Sequence, residues 1–491
     1  HVTDDVFGNA YEYLIRNFAS RAGKSSGEFY TPKEVAYLMS EIVEPQPGQS
    51  ICDWASGSGG LLLQCRNYVT RQCKDPDRLL LYAQESNLST YNISRINMIL
   101  HGVKSWEHRH QDSLRNPLHV DDGKKLLKFD RIVMNPPFSL EDWGYDDFQG
   151  GDPFGRFGYG MPPRNNGDYA WLEHVLKSLK DTGKAIVVMS QGVLFRGQPE
   201  QTEEDDGRNQ SADAEYVIRE GFIKADAIEC VIVLPSKLFY GNTVPGCLII
   251  MNKNKPPERK NKILMIWASR NFQNANPQNI LRPSDLMRIL VPWRAFGDLD
   301  LARRLVSIHE EKLVQEEELE RQRRLKDIED AYAPILEPLE TLTLELSRLE
   351  TSNWQSNGYS RKSEQVIRIR ELKRSVKELG KIQGERNAAE DEVNSHANQE
   401  IAHIHEAATD LLSICSDPNL ANRYFSVVDI NELSPNEYNL NMSRYVDTYD
   451  EREEYIPLPD AANLLQESER RRSEAMRRVS LALGACNYDE V

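Results

Sequence analysis

The ten residues RIVMNPPFSL (131–140) place an asparagine, two prolines and a phenylalanine directly after an apolar run that is typical of a strand. Because proline fixes its own φ and has no backbone N–H, Pro136 and Pro137 both end the strand and stiffen the turn. In such a turn the Asn135 side-chain oxygen and the Pro136 carbonyl can accept from one group, while Phe138 offers a flat apolar face beside them. A strand that simply ends in a turn needs none of these residue types.

Two converging acceptors suit an amine that is conjugated to a ring. The lone pair of such a planar nitrogen is delocalised, so the nitrogen is a poor nucleophile. Acceptors that hold its hydrogens pull it toward tetrahedral geometry and stabilise the positive charge that develops on attack. The neighbouring aromatic ring gives a surface on which a base taken out of a duplex can stack. The motif therefore predicts group transfer to a planar amine.

A second segment, DWASGSGG (53–60), is a glycine-rich connection between a strand and a helix. Glycines let the backbone approach a ligand closely, and the free amides of the helix start face that ligand. The spacing matches neither GxGxxG nor GxxxxGK[ST], which disfavours dinucleotide and nucleoside triphosphate sites. Glu85 closes the next strand, where a carboxylate usually binds ribose hydroxyls. Asp112 follows a weak third strand, where it could accept from an exocyclic amine.

The elements that must position these residues alternate between strands and helices. We predict strands at 50–55, 79–85, 107–113, 129–137, 184–190, 228–235 and 246–253, and helices at 61–73, 89–102, 171–183 and 214–225. Helices of this length between strands require crossover connections. The sequence therefore predicts an α/β fold with a doubly wound, mainly parallel sheet whose carboxyl edge binds the ligand.

The composition changes after about residue 296, where long charged helices are predicted. Leucines at 339, 342, 346 and 349 have the spacing of an interhelical seam, and Pro334 and Pro338 indicate a break or kink. We interpret this region as an antiparallel helical hairpin, followed by an irregular stretch (427–447) and a last helix (459–482). The aromatic, glycine-rich segment 139–167 and the acidic segment 196–214 are predicted loops that interrupt the α/β pattern.

The overall charge and the cysteines exclude some classes of function. A formal net charge of −16 argues against a protein that grips nucleic acid over its whole surface, because phosphate binding depends on lysine and arginine. A local basic face or a partner that supplies affinity stays compatible with it. Seven scattered cysteines without a CxxC pair predict a reduced, cytosolic setting and no metal site. No uncharged apolar run is long enough to span a membrane, so we expect no membrane association.

The motifs EFYTP (28–32), DWASGSGGLL, QES and NPPF, in this order, resemble the S-adenosylmethionine-dependent amino-methyltransferases of the adenine-N6 group. The longer runs GEFYTPKEVAYLMSEIV, GNTVPGCLIIMNK and NEYNLNMSRYVD resemble the modification (methyltransferase) subunit of type I restriction-modification systems. The resemblance implies a role for each matching position. It assigns Phe29, Tyr30, Thr31 and Pro32 to the methionine end of the cofactor, Asp53, Ala55, Gly57 and Gly59 to its frame, Glu85 to its ribose, Asp112 to its adenine amine, and Asn135, Pro136, Pro137 and Phe138 to the catalytic site.

The resemblance further implies a Rossmann-like methyltransferase that transfers a methyl group from S-adenosylmethionine to the N6 amine of adenine in duplex DNA. In this family a separate specificity subunit reads the DNA sequence, which reconciles DNA methylation with the acidic charge. The implied assembly has two copies of this chain around one specificity subunit, with a restriction/translocase subunit as a further partner. Its expected location is the cytoplasm of a prokaryote.

The sequence patterns and the resemblance together give a domain scheme. It assigns 1–48 to a helical lead-in, 49–295 to the catalytic domain, 296–420 to the helical hairpin, and 421–491 to a C-terminal segment and helix for partner contact. Family members carry a helical domain ahead of the position where this chain begins, so we expect an N-terminal portion to be missing here.

Two alternative functions stay open at this point. Sites of this kind also methylate cytosine N4, RNA and protein glutamine, which are all planar amines. The chain could also be a non-catalytic scaffold subunit of a phage-defence complex. Trp54, which stands where the family usually has proline, leaves the scaffold alternative open, whereas Asn135 and Phe138 oppose it.

Overall fold

The computed structural model describes residues 10–15, 31–199, 213–239 and 245–448, except positions 277, 353, 355 and 359–360. It also describes residues 8 and 470 and the pairs 201–202 and 209–210. The chain divides into two compact units, His1–Asp447 and Thr448–Val491, and the first unit contains every element described here. Phe29, Tyr30, about half of the acidic segment and, except for residue 470, the predicted last helix lie outside the described residues.

One nine-stranded sheet organises the first unit. Its strands are β1 Ser50–Asp53, β2 Leu80–Glu85, β3 Trp106–His110, β4 Phe129–Met134, β5 Leu179–Ser190, β6 Ile228–Val233, β7 Gly246–Asn252, β8 Lys262–Trp267 and β9 Phe425–Asp429. Their order across the sheet is β9-β8-β6-β7-β5-β4-β1-β2-β3. Strand β7 runs antiparallel to both of its neighbours and β9 is antiparallel to β8, whereas all other pairs are parallel. The predicted α/β class with a mainly parallel sheet is confirmed.

Helices cover both faces of this sheet. They are α1 Lys33–Val43, α2 Gly60–Arg71, α3 Leu88–Leu100, α4 Asp168–Lys177, α5 Ala214–Lys224, α6 Pro283–Ala295, α7 Leu299–Thr351 and α8 Lys362–Ile414, with short turns Pro418–Ala421 and Ile430–Leu433. Successive residues of a strand face opposite sides of the sheet, so Ile51 belongs to one buried cluster and Cys52 to the other. Chain order reverses between β1 and β4, and this switch point is where an open α/β sheet binds its ligand.

The structure corrects three details of the predicted elements. Strands β8 and β9 were not predicted, and β9 lies partly within the stretch that we interpreted as irregular. Strand β9 is five residues long and is paired with β8, which is far away in the sequence, so local pattern alone could not reveal it. The helix predicted to reach residue 183 ends at Lys177, because residues from Leu179 already belong to β5.

Helices α7 and α8 form the antiparallel hairpin that the sequence predicts. Arg368 near the start of α8 pairs with Glu345 near the end of α7 at 3.0 Å, while His405 reaches back to Glu310 at 2.7 Å. Of the predicted break or kink, the break is wrong, because α7 continues through Pro334 and Pro338, and the kink stays a prediction. Both prolines are exposed, so water can solvate the carbonyls that lose an intrahelical partner.

No helix in the described part of the chain combines the length and the apolar character needed to cross a membrane. Within the same residues, six cysteines are present as free thiols.

Candidate active site

The glycine-rich turn leaves the carboxyl end of β1 and leads into α2. Gly57 and Gly59 have φ of +53° and +82°, in the left-handed region that glycine adopts without strain. A Cβ at Gly59 would lie 2.9 Å from both Met98 Cε and Ser94 Oγ on α3, so a side chain there would have to displace both of them. The turn therefore needs glycine for its backbone shape at both positions, and for close packing against α3 at Gly59.

Asp53 ends β1 as a fully buried carboxylate. Its Oδ1 accepts from the Ala55 amide at 3.1 Å, whereas its buried Oδ2 has no hydrogen-bond partner among the described residues. Burial, with a smaller contribution from the nearby Glu85 charge, raises the pKa of Asp53 to about 8. A buried, unpaired carboxylate oxygen is costly, and such a group marks a place that a hydrogen-bonding or cationic ligand would complete.

Glu85 ends β2 and braces the glycine turn. Its Oε2 accepts from the Gly57 amide at 2.9 Å and its Oε1 from the Asn87 amide at 2.8 Å. Asp112 has a local role as well, because its Oδ1 accepts from the amides of Leu114 and Arg115 at 2.8 and 2.9 Å. One Asp112 oxygen thus shapes the turn after β3, while the other lies 3.8 Å from Arg115 Nε.

A cleft of about 540 Å³ opens beside these carboxylates. It is lined by Trp54, Ala55, Glu85, Asn87, Asp112, Pro137 and Trp171, among others. A narrow adjoining crevice is lined by Thr31, Asp53, Ala55, Gly57 and Asn135. Ala55 borders both spaces, so they adjoin, and the size of the larger one is typical of small-molecule sites. Pro32 and Gly59 line neither space, and they act instead at the starts of α1 and α2.

The Asn135–Phe138 loop follows β4 at the same edge of the sheet. The Asn135 Nδ2 donates to Thr31 Oγ1 at 3.0 Å, which commits the amide nitrogen and leaves the amide oxygen available as an acceptor. Pro136 is buried, and Pro137 lines the cleft. Phe138 is half-buried, with its ring 6.0 Å from that of Phe239 in an edge-on arrangement. The structure thus brings Thr31, the glycine turn and Asn135 together around one crevice.

Trp54 is a core residue beneath the site. It is 1% exposed, its indole N–H donates to Ser178 Oγ at 3.0 Å, and its ring packs edge-on against His174 at 4.4 Å between centroids. Its carbonyl accepts from Ser113 Oγ at 2.5 Å. At this position packing and hydrogen bonds therefore restrain the backbone, whereas a proline would restrain it through its ring.

Arg156 is an organising residue that sequence reasoning missed. It is 3% exposed, pairs with Asp152 at 2.8 Å, and donates to the Leu114 carbonyl at 2.8 Å. It also contacts His174 Nδ1 at 3.0 Å, and burial together with this cation lowers the pKa of His174 well below its usual value. The aromatic segment 139–167 is thereby tied to the cluster under Trp54. An arginine between two phenylalanines, Phe154 and Phe157, was the signal available in the sequence.

The first residues of α4 differ in their position relative to the cleft. Asp168 and Tyr169 are buried, and only Trp171 borders the cleft. Asp168 does not cap its own helix; its Oδ1 accepts from the Ser139 amide instead. No group of three or more His, Cys, Asp or Glu side chains suited to a metal ion occurs among the residues that the structure describes.

Comparisons with known proteins identify the family of this chain. The family model for N-6 DNA Methylase matches residues 2–330. The chain is 32% identical over 265 residues to the type I restriction enzyme HindI methylase subunit of Haemophilus influenzae, covering 54% of each protein. It is 34% identical over 315 residues to the MjaVIII methylase subunit of Methanocaldococcus jannaschii, covering 62% of this chain and 51% of that protein.

A solved type I restriction-modification methyltransferase subunit from Streptococcus thermophilus is 34% identical, with a TM-score of 0.49 over 59% of this chain and 57% of that one. The chain spans about half the length of the curated relatives it matches. The family model, in contrast, covers well over half of this chain, including the glycine turn and the NPPF motif. The chain belongs to the N-6 DNA methylase family.

Proposed function

We propose that this chain is the modification subunit of a type I restriction-modification system and transfers a methyl group from S-adenosylmethionine to adenine N6 in duplex DNA. The observation that carries the proposal is the convergence of Asp53, Thr31 and Asn135 on one crevice. This arrangement brings the predicted cofactor site and the predicted amine-binding loop into contact. The matched relatives named type I methylase subunits support the same activity.

The residues around the cleft fit S-adenosylmethionine, which when bound supplies an electrophilic methyl group. The unpaired Asp53 Oδ2 suits its cationic end, and the glycine turn admits close backbone approach. Glu85 would bind the ribose, and the second oxygen of Asp112 would accept from the adenine amine. The proposed cofactor-binding set also includes Thr31, Pro32, Ala55, Gly57 and Gly59. Phe29 and Tyr30 belong to it as well, although they lie outside the described residues.

The target amine would be held by the Asn135 amide oxygen and the Pro136 carbonyl. Thr31 orients the amide, so that its oxygen rather than its nitrogen meets the amine hydrogens. Acceptors placed in advance stabilise the charge that develops on the attacking nitrogen, and the reaction then needs positioning more than acid–base chemistry. Pro137 holds the backbone of the loop, and Phe138 provides the stacking surface for the flipped base.

The partners follow from the charge and the relatives. A chain of net charge −16 needs another component for DNA affinity, and a specificity subunit supplies it in our proposal. We further propose two copies of this chain per specificity subunit, a restriction/translocase subunit as an additional partner, and action in the prokaryotic cytoplasm. The segment 421–491, with the hairpin 296–420, is the proposed contact region.

Nucleoside analysis of methylated DNA tests the proposal. The full chain, purified with its specificity subunit, is incubated with labelled S-adenosylmethionine and unmethylated duplex DNA, and the product is digested and identified by mass spectrometry. N6-methyladenine that disappears with Asn135→Ala is the expected result. N4-methylcytosine, or label in RNA or glutamine, would point to another planar amine. Calorimetric binding of S-adenosylmethionine, lost in Asp53→Ala, without any transfer would point to the scaffold alternative.

A further inference from the structure

The Asn135–Ser139 loop, which would bind the target base, has few backbone N–H groups that could stabilise its conformation. Pro136 and Pro137 have no N–H, so after Asn135 the next backbone donors are those of Phe138 and Ser139. Ser139 has φ of +52°, a left-handed conformation that costs a non-glycine residue free energy and persists only where the surroundings enforce it. The group that accepts a hydrogen bond from the Ser139 amide therefore fixes the position of this end of the loop.

That group is Asp168. Its Oδ1 accepts from the Ser139 amide at 2.7 Å, although the two residues are 29 positions apart. Asp168 is fully buried, at the first position of α4. A hydrogen bond from an amide to a buried carboxylate is stronger than one between neutral groups. The loop is thus held at one end by Asn135 on Thr31 and at the other by Ser139 on Asp168.

A second set of contacts fixes Asp168 itself. Its Oδ2 accepts from Arg196 Nη2 at 2.5 Å and from Ser190 Oγ at 3.2 Å. Arg196 is in turn held by Glu215, with both Nε and Nη2 donating at 2.9 Å. Because Ser190 ends β5 and Glu215 lies in α5, the carboxylate is attached to two rigid elements.

The network continues to the C-terminal part of the first unit. Arg219, which is 1% exposed, donates to the Arg196 carbonyl at 2.6 Å and to the Tyr438 carbonyl at 2.9 Å. Tyr438 lies in the run NEYNLNMSRYVD, which contributes no residue to the proposed active site. Buried polar networks in which each member is satisfied make a local structure rigid.

We propose that Asp168 is a positioning residue for methyl transfer, which holds the Phe138–Ser139 end of the loop so that the ring and the two acceptors meet the same base. The proposal deepens the proposed function and rests on it. Asp168 touches neither the base nor the cofactor, and it acts through Ser139 and Phe138. Its loss should misplace the target base while leaving the cofactor cleft, built from β1 and β2, intact.

The test compares kinetics of the complex with its specificity subunit for the Asp168→Ala and Asp168→Asn variants. Misplacement of reacting groups by about 1 Å can cost about 100-fold in rate, so we expect Asp168→Ala to lower kcat/KM for DNA by about 10- to 100-fold. Affinity for S-adenosylmethionine should stay unchanged. Asp168→Asn keeps an oxygen that can accept from the Ser139 amide, so it should retain more activity than Asp168→Ala. If the alanine variant does not fold, the kcat/KM of Asp168→Asn is compared with that of the wild type instead.

Glu229→Ala is the matched control for a structural effect. Glu229 on β6 is 1% exposed and pairs with the partly buried Arg259 at 3.1 Å, so its removal likewise takes a buried carboxylate from an arginine, away from the loop. With melting temperatures compared, Glu229→Ala should keep kcat/KM. An Asp168→Ala effect no larger than that of Glu229→Ala would overturn the inference.

A double-mutant cycle with Phe138→Ala tests the route through the loop. If Asp168 acts through Phe138, most of its effect should vanish in the Phe138→Ala background, whereas full additivity would overturn that route. A wild-type complex that methylates no DNA would instead reject the proposed function. The two failures are therefore distinguishable.

Discussion

The sheet and the helical hairpin of this molecule are stabilised in opposite ways. Strands β6 and β7 are buried along their whole length, and their apolar side chains pack on both faces of the sheet. In the hairpin, 53-residue helices meet along a thin seam, with buried residues such as Leu336, Leu349 and Leu372 far apart along the chain. Charged pairs such as Lys373 with Glu350 cover the remaining surface.

This difference indicates which region can hold catalytic residues in fixed positions. The site residues lie at ends of strands whose positions the whole sheet determines, and a packed core holds them in place. The base of the hairpin shares that core, since Ala302, Val306 and Leu411 belong to the same buried cluster as α1 and α2. Its distal part has mainly its own seam and is suited to contact with a partner rather than to catalysis. Substitutions in the two regions test this contrast.

The largest effect should come from Trp54→Ala. Removing a fully buried aromatic side chain costs about 3–5 kcal/mol of the free energy of unfolding. We expect that loss in denaturant unfolding of the sheet, whereas Leu349→Ala in the hairpin should mainly increase amide exchange near the hairpin tip. Trp54→Phe is the control, because it keeps most of the packing and loses only the hydrogen bond to Ser178. Equal global destabilisation by both alanine variants would break the contrast.

Asn135→Ala should have the next largest effect, and on activity rather than stability. Loss of one preorganised hydrogen-bonding group at a developing charge typically lowers kcat by about 100- to 1000-fold. Steady-state methylation by the complex, together with calorimetric titration of S-adenosylmethionine, measures it. Thr31→Val, which removes the acceptor for the amide nitrogen, should lower kcat less. Unchanged kcat in Asn135→Ala would refute the role of the loop.

The pH dependence of stability should change in Asp53→Asn. The pKa of Asp53 is raised from 3.8 to about 8 by burial, so between these values the folded state binds a proton that the unfolded state has released. Stability is therefore lost as the pH rises through this range. Asparagine keeps an uncharged acceptor for the Ala55 amide. The stability of the variant relative to the wild type should therefore increase from pH 5 to pH 8. A difference in melting temperature that is constant over this range would contradict it.

The smallest effect is expected at the hairpin surface. Lys373 and Glu350 form a pair at 2.8 Å, but their side chains are 59% and 42% exposed. Exposed pairs contribute about 0–1 kcal/mol, so Lys373→Ala should barely move the unfolding midpoint. If the partner docks on this surface, the same variant should weaken co-purification with the specificity subunit. A loss of stability comparable to that of Trp54→Ala would show that the hairpin surface is part of the cooperative core.

The sequence alone determined the α/β class, the seven strands from β1 to β7, the helical hairpin and the motifs of the site. These features depend on local patterns: apolar runs between helices, glycines in a strand-to-helix turn, and prolines after a strand. Because parallel strands present their carboxyl ends at one edge, the sequence also predicts that Asp53, Glu85 and Asn135 lie together. The roles of these residues remain predictions.

Contacts between segments that are far apart in the sequence are visible only in the folded chain. The bonds from Asn135 to Thr31, Ser139 to Asp168 and Arg156 to Leu114 join residues that no periodicity relates. Strand β9 is paired only because α7 and α8 return the chain to β8. Burial also set the pKa of Asp53, since an aspartate in sequence gives no sign of its solvent exposure. Packing against distant neighbours is a property of the folded chain, and local residue types do not encode it.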